Sequence, residues 1–213
     1  MTKLSNILFA LLIVFTAMPG VHAANIWASY TTQTLYYESV DAHNQPITLS
    51  ALLYIPNRTQ RTDNLLSTQT FDYDVSFVML DCHPTIASDT ESATGASPLN
   101  NVGGYMCAEG ALVVCPDYVG YGITADEVHP YLIETLTARN CIDCELAAIK
   151  TLREQGLTFA PDYYTIVTGY SQGGAVAMAC HKYIENNLTQ EDLVRIVDKV
   201  EKAAIRRNVD LMQ

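Results

Sequence analysis

Residues 164–180 read YTIVTGYSQGGAVAMAC and join three patterns in one short stretch. The β-branched, apolar run at 164–168 is typical of a buried strand, and the run of small and apolar residues after Gly174 is typical of a helix. Between them, Gly169 to Gly173 fit the pattern G-x-S-x-G. The stretch therefore predicts a strand, a sharp turn that carries Ser171, and a helix.

The predicted turn suits Ser171 to nucleophilic chemistry. A serine on such a turn has its hydroxyl in the open, where an acyl carbon can reach it. Glycine is needed two residues before and after it, because a side chain there would collide with the neighbouring strand or helix. The N–H of Gln172 lies at the helix start, where negative charge is stabilised. We predict Ser171 as the catalytic nucleophile and Gln172 as an oxyanion-hole donor; the alternative is a plain glycine-rich turn.

A second oxyanion donor is expected in the loop after an earlier apolar run, Val75 to Leu80. This loop contains His83, Pro84 and Thr85. Proline has no N–H, so Thr85 is predicted as the donor. We interpret His83 as a structural histidine that orders the loop, in preference to a general base.

The rest of the chain predicts an α/β fold. Runs at 33–40 and 47–55, each followed by turn formers, predict an antiparallel hairpin. The apolar runs at 75–80, 111–115 and 164–168 are typical of strands covered on both faces. A helix is predicted from Cys141 to Gln155, with Asn140 as its N-cap and Gly156 as its stop. Alternation of buried strands with helices indicates a mostly parallel sheet, entered through the hairpin.

On these motifs the chain resembles the α/β-hydrolase superfamily, and within it secreted lipases and esterases. The resemblance extends over about residues 33–187. It is carried by the serine turn, the loop at 83–88, the stretch PDYVGYG at 116–122 and HPYL at 129–132. It implies carboxylic-ester hydrolysis through an acyl-enzyme without a cofactor, although a serine peptidase remains an alternative. It also implies a substrate pocket lined by His83, Asp117, Tyr118 and Tyr121.

The rest of the catalytic triad is not found where this fold requires it. In the superfamily the acid and the histidine follow the serine along the chain. Here the histidine after Ser171 is His181, about 15 Å further along the same predicted helix and out of reach of the hydroxyl. The aspartates of residues 190–213 are interpreted as solvated charges of an amphipathic helical tail. His43, His83 and His129 remain upstream candidates for an unorthodox base, and of these only His83 is expected near the site.

Two explanations of the missing triad residues stay open. We favour a chain truncated after the helix that follows Ser171, so that the C-terminal strands of the fold are missing and the hydrolase is impaired. The alternative is a non-catalytic extracellular binding module that keeps the fold. In the first case residues 164–168 would form an apolar sheet edge with unpaired backbone groups, which favours self-association.

The N-terminus predicts export. An apolar run from Ile7 to Met18 follows Lys3, and Val21-His22-Ala23 supplies the small residues at which signal peptides are cleaved. The run is too short for a stable membrane span, which needs about 20 apolar residues. We therefore predict a signal peptide at 1–23, cleavage after Ala23, a mature domain at 24–213, and a secreted or periplasmic protein.

Six cysteines lie beyond this segment, and some could pair in an oxidising compartment. Cys141 and Cys144 resemble a redox or metal spacing. With Ala148, however, they fall on one face of the predicted helix, which indicates a buried face. No second pair completes a zinc site, so no metal is predicted.

The charge of the chain limits its partners. Twelve Lys and Arg against 23 Asp and Glu give a formal net charge of −11. Such a field repels nucleic acid. The expected partner is a small-molecule or lipid ester substrate.

Overall fold

The computed structural model describes residues 30–57, 73–98 and 103–187. Their strands form one five-stranded sheet. Its members are β1 (Tyr30–Val40), β2 (Pro46–Pro56), β3 (Phe77–Cys82), β4 (Ala111–Pro116) and β5 (Thr165–Gly169). The helices are α1 (Gly103–Ala108), α2 (Glu134–Glu154) and α3 (Gln172–Asn187), with 3₁₀ turns at Asp89–Glu91 and Gly122–Thr124.

The strand order is β1-β2-β4-β3-β5. β1 and β2 pair antiparallel over their full length, and β2 continues antiparallel to β4. β3 pairs parallel with both β4 and β5. The predicted α/β sheet with a parallel core and an entering hairpin is therefore confirmed.

Two apolar clusters cover the two faces of the sheet. Successive side chains of a strand point to opposite faces, so β3 contributes Val78 and Leu80 to one cluster and Phe77 and Met79 to the other. Helices α2 and α3 pack on the first face, and α1 packs on the second. β3 and β4 are buried along their whole length, as their unbroken apolar sequences predict.

The start of α2 corrects one prediction. Asn140 is not an N-cap, because α2 begins six residues earlier, at Glu134. Asn140 is buried within the helix, and its side-chain amide donates to the carbonyl of Val40 at 2.9 Å and to Ser39 Oγ at 2.7 Å. The polar side chain ties the helix to β1 instead of capping the helix end.

β5 also differs from its predicted environment. Within the described part of the chain it lies at the sheet edge and pairs on one side, with β3. Ile166 is 39% exposed, and the other residues of the strand are half-buried. The apolar run predicts a strand covered on both faces, which β5 is not among the described residues; its position at the edge is the one expected for a chain without the later strands of the fold.

The helical face that carries Cys141, Cys144 and Ala148 is buried, as predicted. All six cysteines are buried, and Cys82, Cys141, Cys144 and Cys180 are free thiols. No helix in the described ranges is long and apolar enough to cross a membrane. The predicted signal peptide and the predicted tail at 190–213 lie outside the described residues.

Candidate active site

Four separate stretches of the sequence meet at the carboxyl ends of β3, β4 and β5. They are the turn after β5, the loop after β3, the loop after β4, and the segment at 129–131 that precedes α2. The carboxyl edge of parallel strands is where α/β proteins place their ligand sites. The four stretches therefore form one candidate site, with the turn after β5 at its centre.

Ser171 occupies the turn between β5 and α3 with a backbone φ of +54°, and it is exposed. A non-glycine residue seldom adopts this left-handed conformation, and the strain costs on the order of 1 kcal/mol. Strain of this kind persists where the surroundings enforce it. Here those surroundings are the strand before the serine and the helix after it.

Contacts at the two flanking glycines enforce the turn. A Cβ on Gly173 would overlap the carbonyl oxygen of Cys82, and a Cβ on Gly169 would overlap the carbonyl of Gly173 and lie 2.8 Å from that of Cys82. The backbone of the turn is therefore pressed directly against the end of β3. This close approach is the physical reason for both glycines of the motif.

The amides at the start of α3 face the turn. Gly173 N–H donates to the carbonyl of Tyr170 at 2.9 Å, and Gly174 N–H donates to that of Ser171 at 3.0 Å. Gln172 is the first residue of the helix, a position at which a backbone N–H has no intrahelical acceptor. Its N–H is therefore suited to bind a negatively charged oxygen at the positive end of the helix dipole.

The loop after β3 is ordered by His83. The ring is buried and stacks on Tyr118 with the ring centroids 3.8 Å apart. Its Nδ1 lies 2.7 Å from the carbonyl oxygen of Pro84 and is therefore the protonated nitrogen. Tyr118 in turn donates its hydroxyl to the carbonyl of His83 at 3.0 Å. These contacts tie the loop after β3 to the loop after β4.

The burial of His83 also sets its charge. Desolvation lowers the pKa of His83 to about 4, although the hydrogen bond to Pro84 opposes the shift. The imidazole is therefore neutral near pH 7. Its Nε2 is buried and has no hydrogen-bond partner among the described residues.

Thr85 is exposed at the outer end of the same loop. Its hydroxyl lies 3.2 Å from the hydroxyl of Tyr131. Tyr121, half-buried, donates its hydroxyl to the carbonyl of Ile86 at 3.3 Å. Thr85 and Tyr121 thus lie on the outer surface of the site, whereas His83 and Tyr118 lie beneath it.

Asp117 is fully buried at the end of β4. Its carboxylate accepts hydrogen bonds from Ser50 Oγ at 2.6 Å and Thr94 Oγ1 at 2.5 Å, and a longer one from Thr94 N at 3.3 Å. Burial raises the pKa of this carboxyl, and these hydrogen bonds oppose the rise. Ser50 lies on β2, and Thr94 lies in the segment between β3 and α1. The contacts of Asp117 therefore connect β2, the end of β4 and this segment beneath the site.

His129 is the residue whose position the sequence failed to predict. Its Nδ1 lies 2.7 Å from the carbonyl of Val119, so that nitrogen carries the proton. Its Nε2 then accepts from the side-chain amide of Gln172, at 3.0 Å. The expectation that only His83 of the upstream histidines lies near the site was wrong. The stretch HPYL at 129–132 is part of the family resemblance. It follows no predicted strand, however, so the local sequence did not indicate that His129 lies beside the serine turn.

The other two histidines of the described ranges, His43 and His181, lie away from the turn. His43 lies in the β1–β2 turn, where its backbone N–H donates to Asp41. His181 is exposed on α3, more than two turns after Ser171. Of the described histidines, His83 and His129 are therefore the two that contact elements of the site.

No protein-family model matches the chain, and no curated protein sequence matches it. Its structure is similar to crystal structures of known proteins. One is the rice cell wall degrading esterase LipA from Xanthomonas oryzae, with 26% identity and a TM-score of 0.60 over 76% of this chain and 40% of that chain. Another is a presumed hydrolase from Legionella pneumophila, with 20% identity and a TM-score of 0.55 over 74% of this chain and 39% of that chain. The chain thus spans about two fifths of the length of these proteins.

Proposed function

We propose that this protein, which has the α/β-hydrolase fold, is a secreted serine hydrolase that cleaves carboxylic esters through an acyl-enzyme on Ser171. The observation that carries the proposal is the exposed Ser171 at φ +54°, between a parallel strand and a helix N-terminus. The likeness to an esterase at 26% identity supports the ester class.

The proposed reaction uses atoms of two loops. Ser171 Oγ attacks the acyl carbon and gives its proton to solvent water, and the carbonyl oxygen becomes negative. The ester bond then breaks, the alcohol leaves with a proton taken up from water, and the acyl group stays on the serine. The N–H groups of Gln172 and Thr85 are proposed to bind the negative oxygen. Water then releases the acid. The substrate is proposed to lie over the surface that includes Tyr121 and Thr85.

Proton transfer is the weak step of this scheme. The Nε2 of His129 is occupied by Gln172, and the Nε2 of His83 is buried on a ring that stacks on Tyr118. Removal of the base of a serine hydrolase lowers the rate by several orders of magnitude, yet oxyanion binding leaves a residual effect. We therefore expect acylation by an activated ester to be detectable and turnover to be small.

The test is intact-protein mass spectrometry after incubation with p-nitrophenyl acetate, with release of p-nitrophenol followed in parallel. We expect one acetyl group per chain, located on Ser171 by peptide mapping. Ser171→Ala should abolish it, and Ser88→Ala, at another exposed serine, should not. Equal labelling of wild type and Ser171→Ala would refute the proposal and favour a binding module on the same fold.

Three further measurements refine the proposal. Fast turnover that is lost in His129→Ala or His83→Ala would identify that histidine as the base. A matched p-nitroanilide distinguishes an esterase from a peptidase, and we expect labelling only by the ester. For export, N-terminal sequencing of protein recovered from outside the producing cell should begin at Ala24.

A further inference from the structure

Three cysteines that are far apart in the sequence meet behind the serine turn. Cys82 ends β3, Cys141 lies in α2, and Cys180 lies in α3. Their sulfur atoms all lie within 4.8 Å of one another, and their side chains are at most 1% exposed. In the described ranges this is the one place where three His, Cys, Asp or Glu side chains converge at ligand distance.

The position of this thiol cluster links it to the site without making it part of the proposed reaction. The carbonyl of Cys82 is the atom against which the glycines of the turn pack. Cys180 follows Ser171 by two and a half turns of α3. None of the three thiols is required to bind or cleave an ester.

The spacing of the sulfurs fits a single ion. Three thiolates about 2.3 Å from a central ion lie about 4 Å from one another. The observed separations are all within 4.8 Å, so any excess over this spacing is less than 1 Å, a difference that small rotations about χ1 would remove. A cluster in which only two sulfurs were close would fit a disulfide better than an ion.

We propose that Cys82, Cys141 and Cys180 form a three-coordinate site for one soft cation, Cu(I). Thiolates are soft ligands that select Cu(I) and zinc. Zinc takes four ligands, the fourth being a side chain or a water; within the described part of the chain no fourth Cys, His, Asp or Glu joins the cluster, and its three cysteines are buried away from solvent water. Each thiol that binds the ion releases its proton to solvent, so no oxidant or reductant is consumed.

The site was not visible in the sequence because metal motifs are recognised by short spacings. Cys141-x-x-Cys144 has such a spacing, but Cys144 is not a member of the cluster. The three sulfurs are brought together only when α2 and α3 pack over the end of β3. The proposal therefore differs from the sequence-based expectation that no metal is bound.

The experiment is an anaerobic titration of the reduced, full-length protein with Cu(I), in competition with a Cu(I) chelator of known affinity. We expect one ion per chain, a sulfur-to-copper charge-transfer band, and three sulfur neighbours with no nitrogen by X-ray absorption at the copper edge. Bound Cu(I) should also raise the thermal unfolding temperature, because it binds the folded state.

The matched variants are Cys141→Ala and Cys144→Ala. Both residues lie on α2 and are fully buried, and only the first belongs to the cluster. Cys141→Ala should weaken Cu(I) binding by at least about tenfold, as expected for loss of a ligand, and Cys144→Ala should leave it unchanged. Circular dichroism checks that each variant folds.

Three outcomes would overturn the proposal: no binding by wild type, a copper site with two sulfurs or with nitrogen, or equal binding by the two variants. The X-ray absorption measurement on wild type decides the question even if Cys141→Ala does not fold. Because the readouts do not involve ester cleavage, failure of the metal site and failure of the proposed hydrolase activity are distinguishable.

Discussion

Gly173 and Gly174 are adjacent at the start of α3, but an added methyl group would meet very different surroundings at the two positions. At Gly173 it would overlap the carbonyl of Cys82, a backbone atom that cannot rotate away. At Gly174 the nearest atom is the carbonyl oxygen of Gly169 at 3.5 Å, an ordinary contact. The two residues therefore form a natural pair for testing how tightly the turn is packed.

We expect Gly173→Ala to lower the free energy of unfolding by about 1–3 kcal/mol, the usual cost of overpacking, and to displace the turn. Gly174→Ala should be neutral or stabilising by up to about 1 kcal/mol, because alanine favours the helix. Urea denaturation of the two variants measures both values. Equal effects would mean that the end of β3 does not confine the turn.

Asp81 carries a buried carboxyl at the end of β3, beside Thr168 of β5. Its Oδ2 has no hydrogen-bond partner among the described residues. Desolvation raises the pKa of Asp81 from 3.8 to about 6. The folded state therefore holds this proton between about pH 4 and pH 6, where the unfolded state has released it.

Because the pKa of Asp81 is raised in the folded state, the free energy of unfolding of the wild type should fall as the pH rises through this window. The contribution of Asp81 to this fall is at most about 3 kcal/mol. Asp81→Asn removes the titration, so its stability relative to wild type should increase from pH 4 to pH 8. Urea denaturation at both pH values tests this. The same substitution at exposed Asp162 is the control, and equal pH dependence of the two variants would contradict the argument.

Individual site residues differ in how far the sequence could predict them. Ser171, Gln172 and the flanking glycines are contiguous, so a local pattern predicted the turn that contains them. His129 reaches the same turn only through tertiary packing, by its hydrogen bonds to Val119 and Gln172. No local pattern encodes a contact of this kind, and the sequence accordingly missed it.

At the scale of whole elements, α2 shows why a helix start can escape prediction. Ile133 precedes the helix and provides no side-chain capping hydrogen bond. Asn140, a good N-cap residue, lies instead in the helix interior, where it bonds to β1. The N-cap preference of asparagine therefore predicted the wrong helix start, because the side chain of Asn140 bonds to β1 and not to the end of the helix.

Asn140→Ala should lower the free energy of unfolding by about 1–3 kcal/mol, because buried groups of β1 lose their donor. The control is Arg139→Ala, at the neighbouring position. Arg139 makes a half-exposed ion pair with Asp143 at 3.9 Å and donates a long hydrogen bond to Asn44 Oδ1 at 3.4 Å, and such surface contacts contribute less than about 1 kcal/mol. Thermal and urea unfolding compare the two variants. A loss at Arg139 as large as that at Asn140 would contradict the assigned role of the amide.

For the whole molecule, the order of the elements was predictable, whereas the edge position of the last strand was expected only for a chain without the later strands of the fold. Apolar runs and turn formers indicated the five strands, because these signals are local. The burial of a strand depends on which elements lie beside it. β5 has the composition of an inner strand, yet in the described ranges it lies at the sheet edge with Ile166 and Tyr164 exposed.

An apolar edge strand is a template for pairing with another copy of the same chain. The formal net charge of −11 opposes such association, and salt screens the repulsion over about 10 Å at 0.1 M. We therefore expect self-association that increases with both protein concentration and salt, measured by sedimentation velocity.

Ile166→Lys should reduce this self-association, because a charge on an edge strand disfavours pairing. Val128→Lys makes the same change of charge at an exposed loop residue that is not part of β5 and should have no comparable effect. Equal reductions would show that net charge, and not the edge of β5, governs association.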